Sequence, residues 1–402
     1  MITTFLRRID RNYFFFLLST ALIGIGQSVD GATLSNYLKE NLGMMILERS
    51  ALEFPRELPG LLVVFVMGLL AFLGDVRIAV VANLLAAGGM LAFGFIPPEY
   101  SLVILTMFVY STGAHLYMPL SNSIGMNFAT AGDLGKKLGR MNAVNTLALV
   151  ISSAGLWALF QFAHISYTTS FTIGAVAFLL AALCLLMIKP IAGTQKNSRF
   201  IFKKEYSLYY WLCVLFGARK QIFITFGPWV LVEVFQQNVT TMTVLFFIVS
   251  VTGIFVKPWI GHMIDLRGER FVLCAEAVGF FFVCLGYAFA TDLLRPEWAL
   301  YLIFVCYVLD LSMTSVSMAR ATYMRKLALV PEDISPSLSL GTSIDHIVTM
   351  FLPMLGGLVW YNGGANGYKY VFIGGAVVAL MNLASAWFIR IPARSSPAKA
   401  SS

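Results

Sequence analysis

Long apolar stretches recur from one end of this chain to the other, and they restrict the possible folds more than any motif does. A helix needs about 20 mainly apolar residues to cross the hydrocarbon core of a bilayer. Twelve such stretches can be read in the 402 residues. They lie near 13–38, 50–73, 77–96, 100–128, 142–164, 167–189, 208–235, 240–263, 270–291, 297–323, 338–361 and 368–390. We therefore predict an all-α membrane protein with twelve transmembrane helices.

The charged fraction agrees with this prediction. Only 12% of the residues are charged, whereas a soluble globular protein carries roughly 25%. A soluble surface must face water, so the missing charge indicates that much of the surface faces lipid. The five cysteines lie in apolar stretches without metal-ligand spacing, so we expect no disulfide framework, no metal site and no cofactor.

The basic residues of the loops predict an orientation. Lys and Arg are concentrated in cytoplasmic loops of membrane proteins. Here every second loop is rich in them, so the net charge of +8 is explained without a nucleic-acid partner. Both termini are then cytoplasmic, and we expect a multi-pass protein of the cell (inner) membrane. The predicted cytoplasmic residues include Arg7, Arg8, Arg11, Arg77, Lys136, Lys137, Arg140, Lys196, Arg199, Arg325 and Arg390, whereas the opposite loops carry mainly Lys39, Arg49, Arg295 and Lys369.

Two short repeats suggest that the chain consists of two related halves. Asp-Val-Arg at 75–77 follows the second stretch, and Asp-Leu-Arg at 265–267 follows the eighth, 190 residues later. Residues 132–139 and 332–339 resemble each other at an offset of 200. We therefore predict two pseudo-symmetric six-helix bundles. Their limits are residues 1–189 and 208–391, with a cytoplasmic linker at 190–207 and a disordered tail at 392–402.

The loop after the eighth stretch carries the motif Gly-x-x-x-Asp-(Arg/Lys)-x-Gly-(Arg/Lys)-(Arg/Lys) in modified form. Gly261, Asp265, Gly268 and Arg270 occupy their motif positions, and Arg267 is displaced by one. With the six-plus-six arrangement, the chain resembles the major facilitator superfamily. This resemblance implies a small-molecule transporter that works by alternating access, with a central cavity lined by spans one, four, seven and ten. The N-terminal half keeps only part of the motif.

The same loops predict a cytoplasmic gate. A carboxylate at a helix end can pair with arginine from a neighbouring loop and break that pair when the cavity opens. The alternative is that the arginines only fix topology. The candidate gate residues are Asp75, Arg77, Gly261, Asp265, Arg267 and Arg270. Span five has only Ser-Ser-Ala-Gly at 152–155, which departs from the Gly/Pro-rich motif of the family's proton antiporters.

Ionisable residues inside the predicted spans are candidates for proton coupling. Such residues cost roughly 2.5–3.5 kcal/mol each on insertion scales, so they are rarely idle. Asp30 lies deep in span one, Asp310 in span ten, and Asp345 and His346 in span eleven. The alternative for each carboxylate is a structural pair with a buried cation. For Asp345 the candidate partners are Arg219, Lys220 and Arg320.

Substrate-binding candidates are polar or aromatic residues at similar depths. Arg219 and Lys220 lie in the middle of span seven and point about 100° apart. A cavity cation would suit an anionic substrate, whereas a structural ion pair is the alternative. Gln27, His115, Tyr117, Asn122 and Trp229 complete the predicted set. We interpret the acidic and basic group at 53–57 as an outer-end cluster that is solvated at the membrane interface.

These observations predict a secondary active transporter for a small organic anion, coupled to protons by symport. A zwitterion such as an amino acid, or a lipid flipped by the same fold, is the alternative cargo. The sequence has no His-Glu-x-x-His motif, no P-loop and no nucleophile motif, so we do not expect an enzyme. The expected partners are the substrate, protons and the bilayer, and the expected state is a monomer.

Overall fold

The computed structural model describes residues 10–97, 99–129, 134–189 and 202–390. Most of the predicted linker and the whole predicted tail at 392–402 lie outside the described residues, as do Arg7, Arg8, Lys196 and Arg199. Within the described ranges the chain is helical and contains no β-strand. The prediction of an all-α fold is therefore confirmed for that part of the chain.

The N-terminal half, here residues 10–189, contains seven described helices. The fourth and fifth helices pack closely against each other. They are α1 (Arg11–Glu40), α2 (Ile46–Ala51), α3 (Glu53–Leu70), α4 (Asp75–Phe95), α5 (Tyr100–Asn127), α6 (Leu134–Phe162) and α7 (Tyr167–Leu186). A short break at Leu52 separates α2 from α3.

The C-terminal half, here residues 202–390, follows the same order of elements with different breaks. Its described helices are α8 (Ser207–Trp229), α9 (Val239–Leu293), α10 (Pro296–Met313), α11 (Ser317–Leu327), α12 (Ile334–Gly363) and α13 (Gly367–Trp387). A π-helical turn, Val230–Val234, continues α8 at its end.

Eight helical segments among the described residues are long and apolar enough to cross a membrane, or nine if the bent pair Ile46–Val63 and Phe65–Leu73 is one span. One segment, α9, has 55 residues and would measure about 80 Å if straight, far more than one crossing needs. Gly268 interrupts it with a φ of +80°, a conformation that glycine adopts without a side-chain clash. The two arms of α9 therefore count as separate elements.

The same kind of turn occurs in the N-terminal half. Gly74 has a φ of +77° and precedes α4, as Gly268 precedes the second arm of α9. This places Asp75 in correspondence with Glu269 rather than Asp265, at an offset of 194. Helix α12 begins at Ile334, and α6 is described from Leu134 onward.

The two halves contact each other most extensively where α3 packs on α12 and α6 packs on α9, and α2 also contacts α12 and α1 contacts α9. We define the terminal end of the molecule as the end where Asn12 accepts a hydrogen bond from the Lys189 backbone N–H at 3.4 Å. At the opposite end Lys39 pairs with Glu233. There too, Asn36 donates to the Gln237 carbonyl at 2.9 Å. These contacts join α1 of one half to the segment after α8 of the other half at this end.

At the terminal end, Asp333 connects the start of the C-terminal half to the residues before α12. Lys203 Nζ lies 2.6 Å from Asp333 Oδ2, and the Tyr206 hydroxyl donates to the same oxygen. The hydrogen bonds from Lys203 and Tyr206 hold the pKa of Asp333 below its ordinary value.

These bonds give a pH-dependent contribution to stability. Because the folded pKa of Asp333 is lowered, the contribution is present above the ordinary value of about 3.9 and is lost as the pH falls through the lowered value. We expect Asp333→Asn to reduce the thermal stability of the purified protein slightly at pH 7. The gap between variant and wild type should narrow below about pH 4. An equal gap at both pH values would contradict this assignment.

Candidate functional site

Charged side chains from both halves meet between the ends of the molecule. We call this group the central site and define it by Arg49, Glu53, Arg56 and Glu57 near the start of α3, Asp30 on α1, His115 on α5, Lys220 on α8, and Asp345 and His346 on α12. Helix α3 packs on α5 of its own half and on α12 of the C-terminal half, so its side chains can contact both halves.

A ladder of ion pairs, largely buried, runs from the end of α2 into the start of α3. Arg49 lies 2.5 Å from Glu53 Oε1, and Arg56 lies 3.4 Å from the same oxygen. Arg49, Glu53 and Glu57 are all buried. The interpretation of this group as an interface-solvated cluster is therefore wrong for Glu53 and Glu57. Two cations on one carboxylate offset the cost of removing it from water.

Arg56 also faces Asp30 across the gap between α3 and α1. The guanidinium and the carboxylate are 3.9 Å apart, and the two side chains keep 22% and 19% of their surface exposed. Tyr110 also interacts with Asp30. The Arg56 backbone carbonyl accepts a hydrogen bond from Ser111, which ties α3 to α5. This pair is loose and open, unlike the sealed pair of Arg49 and Glu53.

The second open pair belongs to the C-terminal half. Lys220 Nζ lies 3.1 Å from Asp345 Oδ2, with 19% and 14% of the side chains exposed. Gly217 allows this approach, because a Cβ there would lie 2.8 Å from Asp345 Oδ1. Pairing of Asp345 with Lys220 is one of the alternatives that the sequence left open. Lys220 also acts electrostatically on Glu57, so this pair adjoins α3.

Glu57 joins the two halves directly. Its Oε2 atom lies 2.9 Å from His346 Nδ1 and accepts a hydrogen bond from the Thr349 hydroxyl at 3.0 Å. His115 stands beside them, with ring centroids of the two histidines 5.0 Å apart. Two predicted site residues, His115 and His346, are thus brought together by a third, Glu57, that the prediction did not include in the site.

The described residues of the central site carry an excess of negative charge when the histidines are neutral. Three cations, Arg49, Arg56 and Lys220, face four carboxylates, Asp30, Glu53, Glu57 and Asp345. One additional positive charge would balance the group. A site with this balance favours binding of a cation, either a proton or a metal ion, before or together with an anion.

Arg219 lies in a different and sealed cluster within the C-terminal half. Its side chain is 1% exposed, its Nε atom lies 3.0 Å from Glu276 Oε1, and another guanidinium nitrogen lies 2.7 Å from Asp310 Oδ1. It also donates to the Asp310 carbonyl at 3.2 Å, and Phe280 covers its face at 5.2 Å. Arg219 was predicted to bind substrate and Asp310 to couple protons, with a structural ion pair as the alternative for each. The structure shows that the two residues form such a pair with each other.

The remaining predicted binding residues are dispersed. Gln27 is exposed and accepts a hydrogen bond from Asn145 at 3.2 Å. Tyr117 is buried, whereas Asn122 is exposed near the terminal end of α5. Trp229 is fully buried near the opposite end, with Lys39 Nζ 6.0 Å from its ring. Their roles in binding stay predictions.

The predicted gate residues make their described contacts inside their own halves. Asp75 accepts a hydrogen bond from Ser123 at 2.5 Å. Arg270 stacks over Trp387 at 4.4 Å. The carboxylate that is buried and paired in the C-terminal loop is Glu269, which lies 2.6 Å from Lys326. Arg77, Asp265 and Arg267 are exposed, and Gly261 has open space beside it.

Sequence reasoning missed Glu269 and Glu276, although one of them left a readable signal. Glu276 is the only charged residue between 271 and 291, so a carboxylate in that apolar run required a buried partner. Glu57 was not predicted as a site residue either, because its neighbours Glu53 and Arg56 indicated an exposed cluster of charges.

Comparison with known proteins identifies one family and several solved structures that have a similar fold. A family model described as Major Facilitator Superfamily matches residues 16–333. No curated protein sequence matches significantly. Several solved structures with similar folds are described as transporters.

Three of these structures illustrate the similarity. A variant of the nucleoside transporter NupG superposes with a TM-score of 0.78 at 14% identity, covering 93% of this chain and 98% of its own. A bacterial homologue of the human lysosomal transporter Spinster, inward-facing and occupied, gives 0.70 at 14% identity, with 94% and 96% covered. A bacterial homologue of the iron transporter ferroportin, inward-facing, gives 0.71 at 14%, with 94% and 98% covered. At these identities the likeness concerns the fold alone.

Proposed function

Because this chain belongs to the major facilitator superfamily, we propose that it is a secondary active transporter that moves a small organic anion together with protons. Its two halves rock about the central site, so that the site opens to one side of the membrane at a time. The contact between the halves at the opposite end, Lys39 with Glu233, supports an arrangement that is accessible from the terminal end.

The proposal includes the predicted topology. We propose twelve crossings arranged in two six-helix bundles. Both termini lie in the cytoplasm, and the protein lies in the inner membrane of the cell. Two observations support this: the paired turns at Gly74 and Gly268, and the loop charges. The terminal end is then cytoplasmic, and two similar structures are described as inward-facing.

The observation that carries the substrate proposal is a pair of open ion pairs, one from each half. Arg56 with Asp30 and Lys220 with Asp345 keep part of their surfaces exposed, in contrast to the sealed cluster around Arg219. An arginine or lysine side chain that is partly exposed can exchange its carboxylate partner within the protein for a carboxylate of the substrate. A substrate held by Arg56 and Lys220 together would contact both halves, as alternating access requires.

Proton coupling follows from the charge balance of the central site. An anion entering a group that already has one excess carboxylate would meet net repulsion. Protonation of Asp30 removes its negative charge and leaves Arg56 available to the substrate. Proton and anion then bind together and leave together, which is symport. We assign the coupling to Asp30 rather than to Asp310, because Asp310 is sealed against Arg219.

The predicted gate belongs to the other conformation. When the terminal end closes, the loops after α3 and around Gly268 approach the facing half. We propose that the exposed side chains of Arg77, Asp265 and Arg267 then pair across the halves. Asp75 and Arg270 already have partners within their own halves, so they position the loops rather than bridge the gap.

The experiment is an uptake assay with purified protein in proteoliposomes. We expect radiolabelled carboxylates from a panel of organic anions, amino acids, nucleosides and metal ions to accumulate when the interior is alkaline. Lys220→Gln should reduce uptake at least tenfold, since each bidentate or charge-assisted contact is worth about 1.5–3 kcal/mol. Lys369→Gln is the matched control, because Lys369 pairs with Asp292 on the surface and should transport normally.

The panel also tests the alternatives. Both signs of charge in the central site would equally hold a zwitterion, and accumulation of an amino acid instead of an anion would replace the substrate class. One similar structure is a nucleoside transporter, so nucleosides are included. Uptake of any cargo that ignores the pH gradient would contradict proton coupling.

A further inference from the structure

We propose that Glu57, His115 and His346 form a binding site for one divalent transition-metal ion between the two halves. This inference goes beyond the proposed transport of an organic anion and does not depend on it. Three side chains of ligating type converge there from three helices. Their ligand atoms all lie within 4.8 Å of one another, so a single ion could contact all three after small side-chain movements.

The backbone around the site leaves room for the two imidazoles. Gly60, one turn after Glu57 on α3, lies directly beside both rings. A Cβ at this position would stand 2.4 Å from His346 Cε1 and 2.7 Å from His115 Cδ2. Any other residue would therefore displace both histidines from the position where they meet Glu57. The absence of a side chain at Gly60 therefore leaves the space that the two rings occupy.

Neighbouring groups orient the ligands in the manner of metal sites. His115 Nδ1 lies 3.0 Å from the Ser111 carbonyl and 2.9 Å from its hydroxyl. Donation from Nδ1 to the carbonyl leaves Nε2 with a lone pair, which is the form a metal binds. Thr349 donates to Glu57 Oε2 and fixes the carboxylate. Such outer contacts typically accompany metal-binding histidines and carboxylates.

The donor set selects the class of ion. Two imidazole nitrogens and one carboxylate suit Zn²⁺, Fe²⁺, Co²⁺ and similar borderline ions, and leave further positions for water. Mg²⁺ and Ca²⁺ prefer oxygen ligands and fit poorly. The excess carboxylate of the central site would offset part of the charge of the ion. In the absence of metal, Glu57 and His346 simply hydrogen-bond to each other.

A bound ion would connect the two halves. Glu57 and His115 belong to the N-terminal half, on α3 and α5, whereas His346 belongs to α12 of the C-terminal half. Metal binding would therefore oppose movement of α12 relative to α3 and raise the melting temperature, because a ligand of the native state stabilises it.

The histidine content provides matched controls for a test. The chain has four histidines, and the other two, His164 and His262, are exposed. Purified, chelator-treated protein would be titrated with ZnCl₂ by calorimetry, and with CoCl₂ by visible absorption. We expect one ion per chain for the wild type and for His164→Gln and His262→Gln. His115→Gln and His346→Gln should each bind at least about tenfold more weakly.

A second measurement avoids dependence on the folding of the variants. X-ray absorption of the Zn²⁺-loaded wild type should show two imidazole ligands together with oxygen ligands. The proposal is overturned if the wild type binds no ion at micromolar concentration, if the spectrum shows fewer than two imidazoles, or if binding is lost in His164→Gln or His262→Gln instead.

Discussion

Replacing Arg219 with alanine is expected to destabilise the protein by about 3–5 kcal/mol, the usual cost of removing one partner from a buried ion pair. Arg219 is buried and holds Glu276 and Asp310. Without it, two carboxylates would share a dry cluster with no cation in direct contact. We expect the variant to have a much lower melting temperature than the wild type and to unfold at a lower denaturant concentration. Both proteins would be measured in detergent.

Two comparisons make this prediction specific. Arg77→Ala removes an exposed arginine and should change stability by no more than about 0.5 kcal/mol. The triple variant Arg219→Leu, Glu276→Gln, Asp310→Asn removes all three charges and should recover most of the loss, because a neutral replacement of a buried ionic cluster is often tolerated. If Arg219→Ala instead abolished transport at unchanged stability, Arg219 would be a substrate ligand.

The helices were largely predictable from the sequence because their physical cause is local. An apolar run must be long enough to span the bilayer and must satisfy its backbone hydrogen bonds internally. The predicted stretches at 77–96 and 167–189 correspond to α4 and α7 within a few residues. The turn at Gly268 was less predictable, since the motif suggested Asp265 as the counterpart of Asp75. The backbone conformation of the two glycines assigns Glu269 instead.

The partners of the buried charges could not be predicted in the same way. His346 meets Glu57 across 289 residues of sequence, and Arg219 meets Asp310 across 91. Such pairs depend on which helices become neighbours, and hydropathy carries no information about that. The sequence did identify Arg219, Asp310 and His346 as buried ionisable residues. It could not tell that the first two neutralise each other, whereas the third faces the gap between the halves.

The difference between the two polar groups has a physical meaning for transport. The cluster around Arg219 lies inside one half and has no exposed charge to offer, so it can stay intact while the halves move. The central site includes residues of both halves and contains the open pairs. Only charges that change their surroundings between the two conformations can couple a proton gradient to movement.

Asp30→Asn is therefore expected to uncouple transport from the proton gradient. The asparagine is nearly isosteric and permanently neutral, so it mimics the protonated side chain beside Arg56. Anion exchange across the membrane, which needs binding and movement but no release of protons, should persist. Accumulation driven by an alkaline interior should fall to the background. Both would be measured in proteoliposomes, as counterflow and as uptake over a pH range.

The matched control is Asp292→Asn, which neutralises a half-exposed carboxylate paired with Lys369 near the opposite end. It should accumulate substrate like the wild type and keep the same pH dependence. Loss of counterflow together with accumulation in Asp30→Asn would indicate that Asp30 binds the substrate or supports the fold, and a melting curve separates these two. Unchanged accumulation would move the coupling away from Asp30 to another group of the central site, where Asp345 beside Lys220 is the next most exposed carboxylate.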